Sequence, residues 1–156
     1  IQALAMVQEW TAAVGLTLHP TKTRIVNATD DGFEFLGYRF ENGKRYPRTK
    51  SLEKLKDTIR AKTKRTSGQC LRAIIGSLNP TLRGWFEYFK HSDRWTLTRL
   101  DQWIRMRLRS LLRKRLGLKG RGRGADHHRW PNAFFAKQGL YSLKTAHELA
   151  CQSSSR

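Results

Sequence analysis

The chain has 156 residues, enough for one domain, and it carries 31 Lys and Arg against 12 Asp and Glu, a formal net charge of +19. A surplus of this size repels itself unless an anionic partner neutralises it, so nucleic acid is the first candidate partner and a membrane surface the second. No apolar run approaches the roughly 20 residues that a membrane-spanning helix needs. There is no secretory signal pattern and two cysteines are too few for a disulfide framework, so we expect an intracellular protein, in a bacterial cytoplasm or an organelle.

The positive charge is concentrated in the second part of the chain. Residues 1–50 hold 7 basic and 5 acidic residues, a net of +2, whereas residues 51–156 hold 24 and 7, a net of +17. The surface that meets an anionic partner is therefore predicted to lie beyond residue 50.

The first 47 residues have the pattern of one helix followed by a small antiparallel sheet. Leu4, Val7 and Trp10 recur at helical spacing, and Gly15 is the residue type that commonly ends a helix. Alternation of apolar residues and turn signals predict strands at residues 23–26, 33–40 and 45–47, a turn at Asp30-Asp31-Gly32 and a tight Asn-Gly turn within residues 41–44.

Beyond residue 47 the pattern predicts helices only. We expect one helix from a Ser51 cap to about Arg65, a second from Ser67, a third that Asn79 caps with Pro80 in its first position, and a fourth over Arg94–Arg115. The third helix carries a stripe of large apolar residues that is typical of a core-facing side: Leu82, Trp85, Phe86 and Phe89.

Candidate nucleic-acid contacts lie on the third and fourth helices. Arg105, Arg109 and Arg113 recur every four residues, and nothing acidic on that helix beyond Asp101 balances them, so we predict an outward, RNA-facing stripe that Lys114 extends. Arg83 lies near a helix start, where a cation is unfavourable without an anionic partner. Tyr88 lies off the apolar stripe and either stacks on a base or covers the edge of the bundle.

The closing segment begins with alternating glycines and cations. Residues 117–124 predict a flexible cationic loop in which Arg121 and Arg123 are candidate RNA contacts. Apolar residues from Trp130 to Leu143 are then expected to dock on the bundle. His127 and His128 fit no standard zinc spacing, so we predict no metal site and expect a polar loop that contacts RNA.

Several of these segments together resemble one family. Residues 15–23 and the run Phe33-Glu34-Phe35-Leu36-Gly37-Tyr38 resemble the end of the palm domain of group II intron reverse transcriptases. The run Leu78-Asn79-Pro80, then Arg83-Gly84-Trp85 and Tyr88, then Leu100-Asp101, resembles the maturase-specific domain, also called thumb or X, of the same proteins. Residues 130–143 resemble the end of that domain.

The resemblance implies roles for particular residues. Lys22 matches a palm lysine near the departing pyrophosphate, and Leu36, Gly37 and Tyr38 match the turn that grips the primer end, where a glycine lets the backbone approach nucleic acid closely. The basic helices are expected to contact intron RNA and the template–primer duplex through phosphates.

One departure from the family pattern bears on activity. The sequence contains no Tyr-x-Asp-Asp, and Asp30-Asp31 is read as turn chemistry, whereas two-metal phosphoryl transfer needs carboxylates that hold the ions. We expect no catalytic residue in this chain except Lys22 in an accessory role, and no bound cofactor. Mg²⁺ would belong to the palm of a parent RNA-directed DNA polymerase.

The resulting expectation is an α+β chain in three parts: the palm end at residues 1–48, a helical thumb/maturase domain at 49–116, and a docking segment at 117–156. Its function would be to bind intron RNA for splicing and, in a longer protein, to clamp template and primer. Two alternatives stay open: a stand-alone basic RNA-binding module, and a fragment of a retron-like or other non-intron reverse transcriptase. The oligomeric state is not predicted.

Overall fold

A small sheet precedes a helical bundle in the computed structural model, which describes residues 2–23, 25–26 and 32–153. Within these residues the elements, in chain order, are α1 (Gln2–Ala13), β1 (Phe33–Phe35), β2 (Tyr38–Glu41), β3 (Lys44–Pro47), α2 (Thr49–Lys62), α3 (Leu71–Phe89), α4 (Arg94–Arg115), α5 (Ala125–Arg129), α6 (Asn132–Lys137) and α7 (Leu143–Ser153). The predicted α+β class, a small antiparallel sheet followed by a mainly helical region, is confirmed.

Helix α1 forms as predicted and ends at its glycine. Gly15 has φ +74°, the left-handed conformation of a helix C-terminus, and the N–H of Leu16 donates to the carbonyl of Thr11. The predicted apolar face is not buried among the described residues, because Trp10 is 66% exposed and only Thr11 of the helix is buried.

The sheet is antiparallel in the order β1-β2-β3. The predicted single strand over residues 33–40 is wrong, because the chain reverses at Leu36-Gly37, where both residues have positive φ, +48° and +78°. This is the backbone of a two-residue hairpin, and the predicted Asn-Gly turn between β2 and β3 has the same form. Phe33 then lies opposite Phe40 with their rings stacked 4.8 Å apart.

The strand predicted at residues 23–26 is also wrong for the part that the structure describes. Thr23, Ile25 and Val26 belong to no strand. Arg24 and the Asp30-Asp31 part of the predicted turn lie outside the described residues.

Helix α2 begins earlier than predicted. Arg48 is its cap residue and its carbonyl accepts hydrogen bonds from the N–H groups of Ser51 and Leu52, so Ser51 lies in the first turn instead of capping the helix. The N–H of Arg48 donates to the carbonyl of Gly37, which holds the helix start against the first hairpin turn.

The predicted second and third helices are one continuous helix, α3. Pro80 lies inside it, although a proline in a helix interior removes a hydrogen bond and costs roughly 3 kcal/mol. Leu78 and Leu82 on either side of it are fully buried, so packing outweighs that cost. Asn79 is not a cap: its side chain donates to the carbonyl of Gly139 and accepts from the N–H of Tyr141.

The core lies between α2, α3, α4 and the closing segment. The residues of largest volume that are fully buried are Ile59, Ile74, Ile75, Leu78, Leu82, Leu97, Ile104, Leu108, Leu111, Phe135 and Leu143. The core-facing interpretation of the aromatic stripe is confirmed, since Phe86 and Phe89 are buried and Trp85 packs at the edge. None of the described helices has both the length and the apolar character needed to cross a bilayer.

The closing segment docks on the bundle as predicted, and a buried carboxylate holds it there. Asp101 of α4 accepts hydrogen bonds from the Ser142 hydroxyl and from the N–H groups of Leu143 and Lys144. These N–H groups open α7 and have no partner within the helix, so Asp101 caps α7 from another element.

Candidate nucleic-acid interface

A basic groove runs between α2 and α4. It contains two cavities, of about 300 Å³ and 280 Å³, and Trp103 lines both. The larger is lined by Arg60, Thr63, Arg65, Trp103, Met106, Arg107, Ser110 and Arg121, and the smaller by Leu52, Lys56, Thr96, Arg99, Leu100 and Trp103. We call these residues together the α2–α4 groove.

The helical repeat explains why the cations face this groove. Leu55 and Ile59 of α2 are buried in the core, which leaves the neighbouring Lys56 and Arg60 at the rim. On α4, three residues at four-residue spacing follow one another along the groove: Arg99, Trp103 and Arg107.

Cations surround the Trp103 ring. The Nζ of Lys56 lies 5.9 Å from the ring centroid, and the guanidinium carbons of Arg60 and Arg107 lie at 5.6 Å and 5.4 Å. Each such contact contributes on the order of 0.5–1 kcal/mol at an exposed site, which offsets part of the repulsion among the three charges.

Neutral acceptors orient Arg107. Its Nε donates to the Thr63 hydroxyl at 2.8 Å and its Nη2 to the Thr63 carbonyl at 3.3 Å. Burial, and then the charges of Arg60 and Arg65, lower the pKa of the Arg107 guanidinium. Asp57 pairs with Arg60 on the exposed side of α2, but the described residues that line the groove include no carboxylate. Apart from Arg60, the cations that line the groove form no ion pair among the described residues, so the groove is a positive surface that attracts anions.

The predicted outward stripe on α4 is wrong. Arg109 is 2% exposed, and its guanidinium donates to the Trp130 carbonyl and the Asn132 side chain. Arg105 lies 4.0 Å from Asp101 with little exposure.

Arg113, the third member of that stripe, pairs with Asp126 at 2.9 Å and also donates to the carbonyl of Lys119. Arg109 and Arg113 face the closing segment and hold it, because that segment supplies their acceptors, whereas Arg105 pairs with Asp101 of α4 itself.

The glycine-rich loop is fixed to α4 at several points, which contradicts the predicted flexible loop. The N–H of Gly122 donates to the Ser110 hydroxyl at 3.0 Å. A Cβ at residue 122 would lie 2.5 Å from the Cβ of Arg109, so only glycine fits. This docking brings Arg121 to the α2–α4 groove, while Arg123 stays exposed.

Three other residues with predicted roles, Lys22 as the accessory to pyrophosphate departure and two RNA contacts, lie on exposed surfaces away from the groove lining. Lys114 is exposed near the end of α4, and Lys22 is exposed in the loop after α1. Arg83 is exposed on α3, with its guanidinium carbon 5.5 Å from the centre of the Tyr141 ring. Their roles toward nucleic acid stay predictions.

The predicted primer-grip turn is tied to Tyr88. The Tyr88 hydroxyl donates to the carbonyl of Leu36 at 2.8 Å, and the Tyr38 hydroxyl donates to the carbonyl of Tyr88 at 2.6 Å. A Cβ at Gly37 would lie 3.4 Å from the Tyr88 ring. Tyr88 therefore joins the hairpin to α3, while 56% of its surface stays exposed.

Asp126 should make stability depend on pH. The N–H of Arg123 and, less strongly, the charge of Arg113 hold the pKa of the Asp126 carboxyl below its ordinary value, although burial acts in the opposite direction. When folding lowers the pKa of a carboxyl, the ionised group stabilises the fold at pH values above the unfolded-state pKa of about 4. This stabilisation is lost as the pH falls through the folded-state pKa.

The Asp126→Asn variant should therefore have a lower free energy of unfolding than the wild type at pH 7, and the difference should shrink toward pH 3. Urea denaturation of both proteins across this range measures it. The exposed Glu148→Gln change serves as the control, and a difference that did not depend on pH would contradict the role given to the ionised carboxylate.

Of the residues that line the groove, sequence reasoning proposed Arg121 as an RNA contact and missed the others. The four-residue spacing of Arg99, Trp103 and Arg107 was a usable signal, but Arg105, Arg109 and Arg113 have the same spacing. The fold brings Arg60 and Arg107 together with Arg121 and places Arg105 and Arg109 elsewhere. In addition, no group of three or more His, Cys, Asp or Glu among the described residues is arranged to hold a metal ion.

A comparison with protein-family models shows to which family the chain belongs. Residues 52–130 match the model of the group II intron maturase-specific domain. The chain belongs to this family. A search among curated proteins found no match. The matched segment of the maturase-specific domain runs from α2 through α5 and includes both walls of the α2–α4 groove. Membership connects the chain with the maturase-related function of group II intron splicing.

Proposed function

We propose that this maturase domain binds group II intron RNA through the α2–α4 groove and thereby assists the RNA to fold for splicing. The observation that carries the proposal is the position of the groove cations: the described residues that line the groove include no carboxylate, and all of them lie within the segment that matches the family. Arginine forks pair with RNA phosphates, and the half-buried Trp103 offers an aromatic edge among them.

A second role is proposed for a longer protein, in which the domain would clamp template and primer beside a reverse transcriptase palm. The supporting observation is the contact between the Leu36-Gly37 turn and Tyr88, which joins a primer-grip-like hairpin to a helix of the maturase domain. An open apolar groove of about 470 Å³ lies there, with Gly37, Trp85 and Tyr88 in its lining. Mg²⁺ and its carboxylates would belong to the palm, and Lys22 would be accessory to it.

The test of RNA binding uses two exposed groove arginines, one from each cavity. Replacing Arg65 and Arg99 by Gln should lower intron RNA affinity about tenfold or more and reduce the slope of log K against log salt by about 2, because each phosphate contact contributes about 1. The matched control replaces Arg72 and Lys137, which are exposed on α3 and α6 outside the groove, by Gln. Filter binding at several salt concentrations measures both quantities.

A second readout separates a maturase from a general basic RNA-binding module. Precursors containing group II introns should splice faster with the wild-type chain than without it, and the Arg65/Arg99 variant should give less stimulation. Equal loss of affinity in the groove and control variants would overturn the assignment of the groove. Tight RNA binding without any effect on splicing would favour the general module.

A further inference from the structure

The larger cavity of the α2–α4 groove is enclosed by cations from three separate parts of the chain. Arg60 and Arg65 come from the end of α2 and the turn after it, Arg107 from α4, and Arg121 from the glycine-rich loop. Its volume of about 300 Å³ lies at the lower end of the range for small-ligand sites, about 300–1,000 Å³. We call it the Arg107 cavity.

Arg107 and Arg109 of α4 both donate to neutral acceptors, but of the two it is Arg107 that lines the cavity. Arg105 and Arg113 each lie within 4.0 Å of a carboxylate, whereas Arg107 donates to the hydroxyl and carbonyl of Thr63. A half-buried guanidinium without an anion is unfavourable in the free protein, and an anion in the cavity would supply the missing partner.

The remaining walls indicate what kind of anion fits. The hydroxyls of Thr63 and Ser110 already donate to the carbonyls of Ile59 and Met106, so the arginines are the donors available to a ligand. Guanidinium forks match the geometry of phosphate oxygens. Trp103 and Met106 are apolar and suit a base or a ribose better than an inorganic ion.

We infer that the Arg107 cavity binds one nucleoside monophosphate unit, with its phosphate between Arg107 and Arg121 and its base or ribose against Trp103. That this unit is an unpaired nucleotide of RNA rests on the proposed function. A nucleotide within a regular duplex is held in its stack and cannot enter a cavity of this size, so the site would distinguish unpaired from paired RNA.

The experiment uses the full chain and side-chain NMR signals of the Arg107 Nε–H and the Trp103 indole N–H. The probes are AMP, inorganic phosphate, a five-nucleotide single-stranded RNA and a blunt RNA hairpin with a tight loop. AMP and the single strand should shift both signals at lower concentration than phosphate does. The hairpin should leave the Trp103 signal unchanged.

Two variants locate the site. Arg121→Gln removes an exposed cation with no hydrogen bond among the described residues, so the fold should tolerate it, and AMP affinity should fall about tenfold. Arg107→Lys keeps the charge but loses the planar fork, and should lower the affinity for AMP to a similar degree. Arg72→Gln, remote from the cavity, should bind AMP as the wild type does.

Three results would overturn the inference. AMP could bind no more tightly than inorganic phosphate, or the ligand could shift all arginine signals alike. The Arg72→Gln control could also lose as much AMP affinity as the cavity variants. Measuring intron RNA binding in parallel tests the proposed function separately from the nucleotide site in the Arg107 cavity. A wild-type chain that binds intron RNA but not AMP refutes the cavity and leaves the proposed function intact. One that binds AMP but not intron RNA refutes the proposed function and the RNA source of the nucleotide.

Discussion

Replacing Asp101 by Ala is expected to lower the free energy of unfolding by about 3 kcal/mol or more. The carboxylate is 3% exposed and accepts three hydrogen bonds, two of them from backbone N–H groups that open α7. Hydrogen bonds to a charged group contribute about 1.5–3 kcal/mol each, and a buried N–H left without an acceptor adds a desolvation cost. The same change also removes the acidic neighbour of Arg105.

Urea denaturation measures this loss, and hydrogen exchange shows where it occurs. The amides of α7 should lose protection first, because Leu143 is fully buried and its position depends on the Asp101 contact. Glu148→Ala serves as the control, since its pairing with Lys144 is exposed and contributes about 0–1 kcal/mol. Unchanged protection of α7 in the Asp101→Ala variant would refute the capping role.

Replacing Arg109 by Ala is expected to have a comparable effect, about 3 kcal/mol. The guanidinium donates to the Trp130 carbonyl at 2.9 Å and to Asn132 at 2.8 Å, and lies 5.2 Å from the centre of the Phe135 ring. Truncation removes both hydrogen bonds of a buried guanidinium and opens a cavity beside the ring. Thermal and urea denaturation measure the change.

The neighbouring exposed cation gives the matched control for Arg109. Lys114→Ala on the same helix should change the free energy of unfolding by no more than about 0.5 kcal/mol. If Arg109→Ala keeps wild-type stability and lowers RNA affinity instead, the side chain contacts RNA and its buried position is wrong. A loss of RNA binding that accompanies unfolding carries no information about the interface, so stability has to be measured first.

Local sequence patterns predicted the elements well where one signal dominates. The bounds predicted for α4, Arg94–Arg115, are those observed, because Asp93 caps the helix by accepting from the Trp95 N–H and Gly117 follows its end. The Asn42-Gly43 turn and the glycine end of α1 were also predicted, since few residue types adopt positive φ without strain. Pro80 led to the wrong prediction of a helix start, because the burial of the residues on both sides of it outweighs its local helix-breaking effect.

The candidate site was less accessible to sequence reasoning, and α4 shows why. Two stripes of residues with the same four-residue spacing run along this helix, Arg99-Trp103-Arg107 and Arg105-Arg109-Arg113. Periodicity identifies the members of a stripe but not what covers it. The docked closing segment covers the second stripe through Trp130 and Asp126, and leaves the first one lining the groove.

The sequence by itself determined the class of the fold, the concentration of positive charge beyond residue 50, and the resemblance to maturase proteins that the family match supports. These properties depend on composition and on short-range spacing, which the chain displays directly. The tertiary structure decided which cations are neutralised internally and which face an open groove. That distinction depends on residues far apart in the chain, such as Arg107 with Thr63 and Arg109 with Trp130, because only folding brings a cation to its acceptor.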